Sequence, residues 1–321
     1  MLTPPALLEV VRGNHVESVH RGVMVFLDPA GAVVASVGEA AGPVFPRSSL
    51  KPLQAVGMLE AGFIGRGASL AISAASHDGE PMHLDAARGT LAEAGLDEAA
   101  LQCPPDLPGD QAAQADWLRS GHSAAAICHN CSGKHAAMLA TCVANGWPTE
   151  TYRDPEHRLQ VGIRERLESL TDTRVSATEV DGCGAPAYAI SLRGLALGFG
   201  RLALATSGPQ AMVSNAMRRY PLLVGGTHRP ASTAMVSVPG LIAKDGAEGV
   251  WAAALPDGRA FAAKIEDGSA RALPGVLAAA LAYWGIDDEL IAPWGSVPVL
   301  GHGEPVGSVR WSAGLREALA V

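Results

Sequence analysis

No apolar run in this chain approaches the roughly 18 residues that a membrane span needs. The first residues, MLTPPALLEVVRGNHVES, carry no basic lead-in, and Glu9 interrupts their short apolar stretch, so no secretory signal is expected. Positive charge is not in excess either. The formal net charge is −8, which leaves no electrostatic footprint for a nucleic acid and serves mainly solubility. Cysteine is sparse and odd in number: Cys103, Cys128, Cys131, Cys142 and Cys183. In a long chain without a signal peptide this argues for reduced thiols and a cytoplasmic protein, not a disulfide framework. The plain reading of each is a small buried hydrophobe. No repeat, low-complexity linker or coiled-coil pattern appears. The 48% share of hydrophobic residues is that of a packed soluble protein. Residues 1–321 are therefore read as a single catalytic domain with a helix-rich region at about 82–220.

The most informative scarcity is lysine. Of 24 basic residues only four are lysine: Lys51, Lys134, Lys244 and Lys264. A coding bias toward arginine replaces lysine wherever the exchange is harmless. The survivors are then enriched where arginine cannot serve, as a base, a nucleophile or a metal ligand, because lysine can lose its proton in a dry site and arginine cannot. Chance survival is the competing explanation for any one of them. The reading gains force only if the lysines fall inside other motifs.

Periodicity divides the chain into strands at its ends and helices between. RGVMVFLD (21–28) and AVVASVG (32–38) read as strands, and a helix is expected from Pro46 and Ser48, with Leu50, Leu53, Val56 and Leu59 on one stripe. LAISAAS (70–76) reads as a buried strand. Helical spacing marks 82–95, 111–121, 132–146, 155–170 and 208–220. A short strand and a glycine-rich turn follow at 175–186, then a strand at 233–240, a hairpin at 249–268 with Pro-Asp-Gly at its tip, and a helix at 270–285. The last 25 residues show no clear pattern. Together these predict an α/β fold: one sheet flanked by helices, with a helical region inserted.

Four motifs carry candidate chemistry. Ser48-Ser-Leu-Lys51 puts a hydroxyl and an amine on one helix face, where a desolvated lysine can take a serine proton. An ordinary N-cap with a solvated lysine has the same letters. Arg47 just before it can grip a carboxylate as a fork. Ser76-His-Asp-Gly-Glu-Pro81 lies past an apolar segment, either as site residues or as a polar turn capping the next helix. In Cys128-His-Asn-Cys131-Ser-Gly-Lys134-His135, Cys131 is open to three readings. It is a buried thiol, a metal ligand with Cys183 of Asp181-Gly-Cys-Gly as a distant partner, or a nucleophile with Lys134 or His135 as base. Lys244-Asp-Gly and Lys264-Ile-Glu-Asp-Gly lie beside expected strands, where a lysine facing the Ser-x-x-Lys helix adds a second amine.

FPRSSLKPLQ (45–54), SHDGEPMH (76–83), CSGKHAAML (131–139), DGCGAP (181–186), KDGAEGV (244–250) and the Lys264 segment, in this order, resemble the L-asparaginase II family of thermolabile rhizobial type. The resemblance covers roughly residues 10–285. It implies a fold similar to serine β-lactamases and serine-dependent glutaminases, and hydrolysis of L-asparagine to L-aspartate and ammonia. It implies two Ser–Lys tandems, Ser48 with Lys51 and Ser76 with Lys264, and a zinc ion held by Cys131, Lys134 and Cys183. A homodimer also fits. Charge complementarity assigns Arg47 and Asp181 to the substrate's carboxylate and ammonium. The chain departs from the pattern at Cys128, an extra thiol, and at Asp78, where asparagine is usual. Lys244-Asp-Gly differs from the Lys-Thr-Gly of the penicillin-recognising enzymes, so Lys244 receives no catalytic role at this point. A β-lactamase-like or other serine amidohydrolase, and a non-catalytic zinc-binding protein, are the alternatives.

Overall fold

The strands from the two ends of the chain meet in one antiparallel sheet. The computed structural model describes residues 3–40 and 42–321. In chain order the strands are β1 (Ala6–Arg12), β2 (His15–Leu27), β3 (Val33–Val37), β4 (Pro43–Val44), β5 (Ala177–Val180), β6 (Pro186–Ser191), β7 (Ile242–Gly246), β8 (Val250–Ala254), β9 (Ala260–Ile265), β10 (Val297–Gly301) and β11 (Glu304–Trp311). The helices are α1 (Lys51–Glu60), α2 (Ala68–Ser73), α3 (Pro81–Glu93), α4 (Gln111–Arg119), α5 (Ser132–Asn145), α6 (Arg158–Thr171), α7 (Leu192–Leu204), α8 (Gly208–Arg219), α9 (Pro221–Val224), α10 (Pro230–Ser237), α11 (Leu273–Tyr283), α12 (Asp288–Gly295) and α13 (Ala313–Leu319).

The main sheet runs β10-β11-β1-β2-β9-β8-β7, with β3 added along β2. Its centre is covered on both faces. Along β8 and β9 nearly every residue is buried, as strands sandwiched between helices must be. Alternate side chains divide between the two layers. Trp251 donates its indole N–H to Leu273 O of α11 at 2.8 Å, and the Phe261 ring meets Trp284 just past that helix. Ala260 instead packs under Gly200 of α7. Helices α1 to α10 are interrupted only by β5 and β6, which join β4 in a small separate sheet.

Two expected strands are helices. Residues 68–73 form α2, packed against α3, α5 and α8, and residues 230–237 form α10. A short all-apolar run has no periodicity to separate a buried helix from a buried strand. In α10, Pro230 in the first turn opens the helix despite the β-branched residues after it. The C-terminal residues without a sequence pattern supply β10 and β11, and β11 pairs with β1.

Candidate active site

Helix α1 is entered through a tight 3₁₀ turn, Arg47–Leu50, with Arg47 in left-handed backbone at φ 53°. For a residue with a Cβ this conformation costs of order 1 kcal/mol or more and is typical of functional sites. One turn on, Lys51 is 1% exposed. Its ammonium donates to Ala75 O at 2.5 Å, Ser76 Oγ at 2.9 Å and Asn130 O at 3.5 Å. Three donors thus meet three acceptors, drawn from the segment after α2 and the segment before α5. Ser76 is itself pinned by its N–H on Val224 O at 2.9 Å. Ser48 is half-buried one turn before Lys51, and its carbonyl accepts the Lys51 N–H. Lys51 and Ser76 are therefore the serine–lysine pair in direct contact. Next to Ser48, the Ser49 hydroxyl is buried with no hydrogen-bond partner among the described residues.

The expected pairing of Ser76 with Lys264 is not formed. Lys264 sits on β9, and its half-buried amine is spent on the carbonyls of Glu248 and Ile265, both at 2.6 Å. Its partial burial lowers its pKa. The second buried amine at the helix start is Lys244, on β7 and 0% exposed. Burial lowers Lys244 to about 8, with a further push from the nearby Lys51 charge, against the pull of Asp245. Gly246, two residues on, explains how β7 comes so close. A Cβ there would collide with the Pro46 carbonyl and lie 2.7 Å from Ser49 Oγ. The sequence signal that points to Lys244 is its place among four lysines, together with that glycine.

Cys131, Lys134 and Cys183 come together as expected, all buried. Cys131 ends the approach to α5, and Lys134 lies in that helix's first turn. Gly133 lets the turn press against α2, since a Cβ there would collide with Ile72 O. Lys134 Nζ is 3.2 Å from Cys183 Sγ. Cys131 Sγ donates to Asn130 Oδ1 at 2.9 Å. The closeness of the two sulfurs lowers the Cys183 pKa and raises that of Cys131. Burial disfavours the Lys134 ammonium, yet the thiolate charge beside it leaves its pKa raised. His135 adjoins this cluster; burial lowers it to about 4, and its Nε2 has no partner among the described residues. Among those residues no group of three or more His, Cys, Asp or Glu forms a metal site on its own. Two sulfurs and an amine are donor types that zinc accepts, and the His135 imidazole does not complete a group of three with the two sulfurs.

Arg47 and Asp181 are also together, but as partners of each other. The guanidinium donates to one Asp181 oxygen at 2.6 and 2.9 Å, and this bond raises the Arg47 pKa. Arg47 lines a cavity of about 390 Å³ with Phe45, Glu179, Glu248 and Lys264. In the Ser76–Pro81 turn, His77 Nε2 meets Ser132 Oγ at 2.9 Å, and burial keeps His77 neutral by lowering its pKa well below the usual value. Glu80 and His83 form a reciprocal cap on α3, so the turn is in part the capping device that its letters also allow. Cys128 is a buried thiol whose pKa burial raises to about 11.

A sheet sandwiched by helices, with a buried serine–lysine contact at the mouth of a central helix, defines an α/β protein with a hydroxyl and an amine held together in its core. The chain belongs to the L-asparaginase II family, which matches residues 8–311. That membership makes it an amidohydrolase of asparaginase type. Solved structures similar to it include a β-lactamase from Mycobacterium bovis, with 15% identity, TM-score 0.43, 85% of this chain and 94% of that chain covered. Another is Mglu in its native form, with 14% identity, TM-score 0.44, and 79% and 62% covered. No curated protein matches the chain. Among the described residues, no helix is long and apolar enough to cross a membrane.

Proposed function

We propose that the protein hydrolyses the side-chain amide of L-asparagine to L-aspartate and ammonia through an acyl-enzyme. The observation that carries this reading is the buried Lys51–Ser76 contact at 2.9 Å, one helical turn from the half-buried Ser48. Lys51, which holds three protons in the resting site, first releases one to solvent. Ser48 Oγ then attacks the amide carbon and gives its proton to the amine so freed. Ser76, already on Lys51, passes that proton to the nitrogen as the C–N bond breaks and ammonia leaves. Water then attacks the ester, gives a proton back along the same path, and releases aspartate with Ser48 restored. Lys244, on the strand that meets the α1 entrance, is the second amine in this reading in place of Lys264. Its Nζ rests on Asp245 O at 2.8 Å and Oδ1 at 2.9 Å and leaves them to exchange a proton in the pocket. Arg47 and Asp181 already form an ion pair, and a zwitterionic amino acid offers each a replacement partner in one molecule.

Cys131, Lys134 and Cys183 would hold zinc, with the Lys134 amine deprotonated as ligation requires. Bound there, the metal supplies a Lewis acid beside the pocket. The test is an ammonia-release assay over asparagine, glutamine and β-aspartyl compounds, beside a chromogenic lactam. Asparagine turnover that falls by several orders of magnitude in Ser48→Ala supports the reading. Lactam turnover without ammonia release, or near-normal activity in Ser48→Ala, would overturn it.

A further inference from the structure

A line of alternating charges runs into the buried amine of Lys244. Lys244 Nζ donates to Asp245 Oδ1 at 2.9 Å. The other Asp245 oxygen lies 3.6 Å from Arg229 Nη1. Arg229 in turn grips Asp78, with Nε at 2.8 and 3.0 Å from its two oxygens and Nη2 at 2.7 Å. The four residues come from three segments: the turn after α2, the N-cap of α10, and β7. Asp78 is held on both sides of its peptide, its N–H on Gly225 O at 2.8 Å and its O accepting from Asp110 N at 2.9 Å. Arg229 is the most exposed of the four and Lys244 the least. Nothing in the family resemblance accounts for Arg229, and Asp78 is the position where this chain departs from the usual asparagine.

We propose that Arg229 and Asp78 are positioning residues for Lys244: by sharing the Asp245 carboxylate they fix how strongly the lysine holds its proton. A carboxylate divided between two cations stabilises each less than an undivided one. Arg229 also repels the Lys244 ammonium directly. Asp78 counters part of that effect by drawing the guanidinium charge toward itself. The charged groups facing Lys244 are few. β7 contributes Asp245, the mouth of α1 contributes Lys51, and the N-cap of α10 contributes Arg229. β8 offers only alanine, valine and tryptophan, and Arg218 of α8 is turned onto Gly240 O and Ala203 O. The burial-lowered value near 8 agrees with a lysine whose counter-ion is shared.

The inference rests on Lys244 acting in the proposed reaction, and the experiment separates the two. The pH dependence of kcat/KM for ammonia release is measured for the wild type, Arg229→Gln, Arg229→Lys, Asp78→Asn and Lys244→Met. If neutral Lys244 is required, wild-type kcat/KM rises through a limb near pH 8. Arg229→Gln returns the whole carboxylate to Lys244 and removes a repelling charge, so its limb moves up by about one pH unit. At pH 7 that is about a tenfold loss, recovered at high pH. Asp78→Asn frees the Arg229 charge to compete for Asp245, so its limb moves down. Arg229→Lys keeps the charge without the fork, and its limb falls between the wild type and Arg229→Gln. A merely structural role moves both variants the same way or leaves the limb in place. Either result, with Lys244→Met inactive, overturns the inference and leaves the proposed reaction standing. Wild-type turnover in Lys244→Met overturns both. Circular dichroism checks folding, and Asp78→Asn, which removes the charge and exchanges one carboxylate oxygen for an amide nitrogen of similar size, keeps the test decisive if Arg229→Gln unfolds.

Discussion

Replacing Lys51 separates catalysis from stability more sharply than any other single change at this site. Lys51→Met keeps the length and apolar stem of the side chain in a position only 1% exposed. It removes three hydrogen bonds, to Ala75 O, Ser76 Oγ and Asn130 O. Each buried acceptor left without a donor costs about 1–3 kcal/mol. Against this, the folded state no longer buries an ammonium, a change that is often neutral or stabilising when the replacement is apolar. The Asn130 contact is long and carries little, and Ser76 can turn its own O–H elsewhere. The net loss of stability is therefore about 0–3 kcal/mol, a fraction of the usual 5–15 kcal/mol. Catalysis fares differently. Without the base the Ser48 hydroxyl attacks with its proton in place, and kcat is expected to fall at least about 10³-fold, or about 4 kcal/mol of transition-state stabilisation. Lys51→Arg sharpens the test, because it keeps a cation that does not give up its proton. Thermal melts by circular dichroism and kcat for ammonia release measure the two quantities. Retention of more than a tenth of wild-type kcat by Lys51→Arg would show that Lys51 is not the base.

Two further predictions concern the walls of the site. Gly246→Ala places a methyl group against the Pro46 carbonyl and Ser49 Oγ, and overpacking of this kind costs about 1–3 kcal/mol. β7 must then move off the α1 entrance with Lys244, so a kcat loss exceeding the stability loss is expected; unchanged kcat would show that the close approach has no catalytic consequence. Protein purified without chelator is expected to contain about one zinc per chain by elemental analysis, and Cys183→Ser is expected to lose it. Less than about 0.1 equivalent in fully active wild type removes the metal from the account.

Much of the fold was legible because long periodic helices and the Pro-Asp-Gly hairpin announce themselves locally. Residues 132–146 and 249–268 form α5 and the β8–β9 hairpin close to where the pattern puts them. The failures have one physical cause. α2 and α10 are short and their apolar residues are buried by neighbours distant in sequence, so neither helical nor strand periodicity survives in their letters. β11 joins the main sheet through β1, near the other end of the chain, with Leu8 opposite Trp311 and Val10 opposite Val309. Such long-range register leaves little local trace in a stretch rich in glycine and proline.

The site divides along the same line. Cys131 and Lys134 lie three residues apart on one helix start, so spacing alone places them together, and Cys183 stood out as the other cysteine in a glycine-rich polar turn. Lys264 and Lys244 could not be told apart in this way. Each precedes a glycine near an expected strand, and the strand expected at 233–240 in place of 242–246 hid which of them faces α1. What separates them is backbone approach. Gly246 lets β7 touch Pro46 and Ser49, whereas Lys264 is drawn to the carbonyls of Ile265 and of Glu248 in the β7–β8 turn. This chain departs from Lys-Thr-Gly at the residue after Lys244. In that motif the residue after the lysine is neutral. Here it is Asp245, whose charge demands a second cation once buried, and Arg229 supplies it. The apparent departures at Asp78 and Asp245 are then two ends of one arrangement: a buried carboxylate beside a lysine needs an arginine to divide it, and a partly buried arginine needs a second carboxylate to hold it.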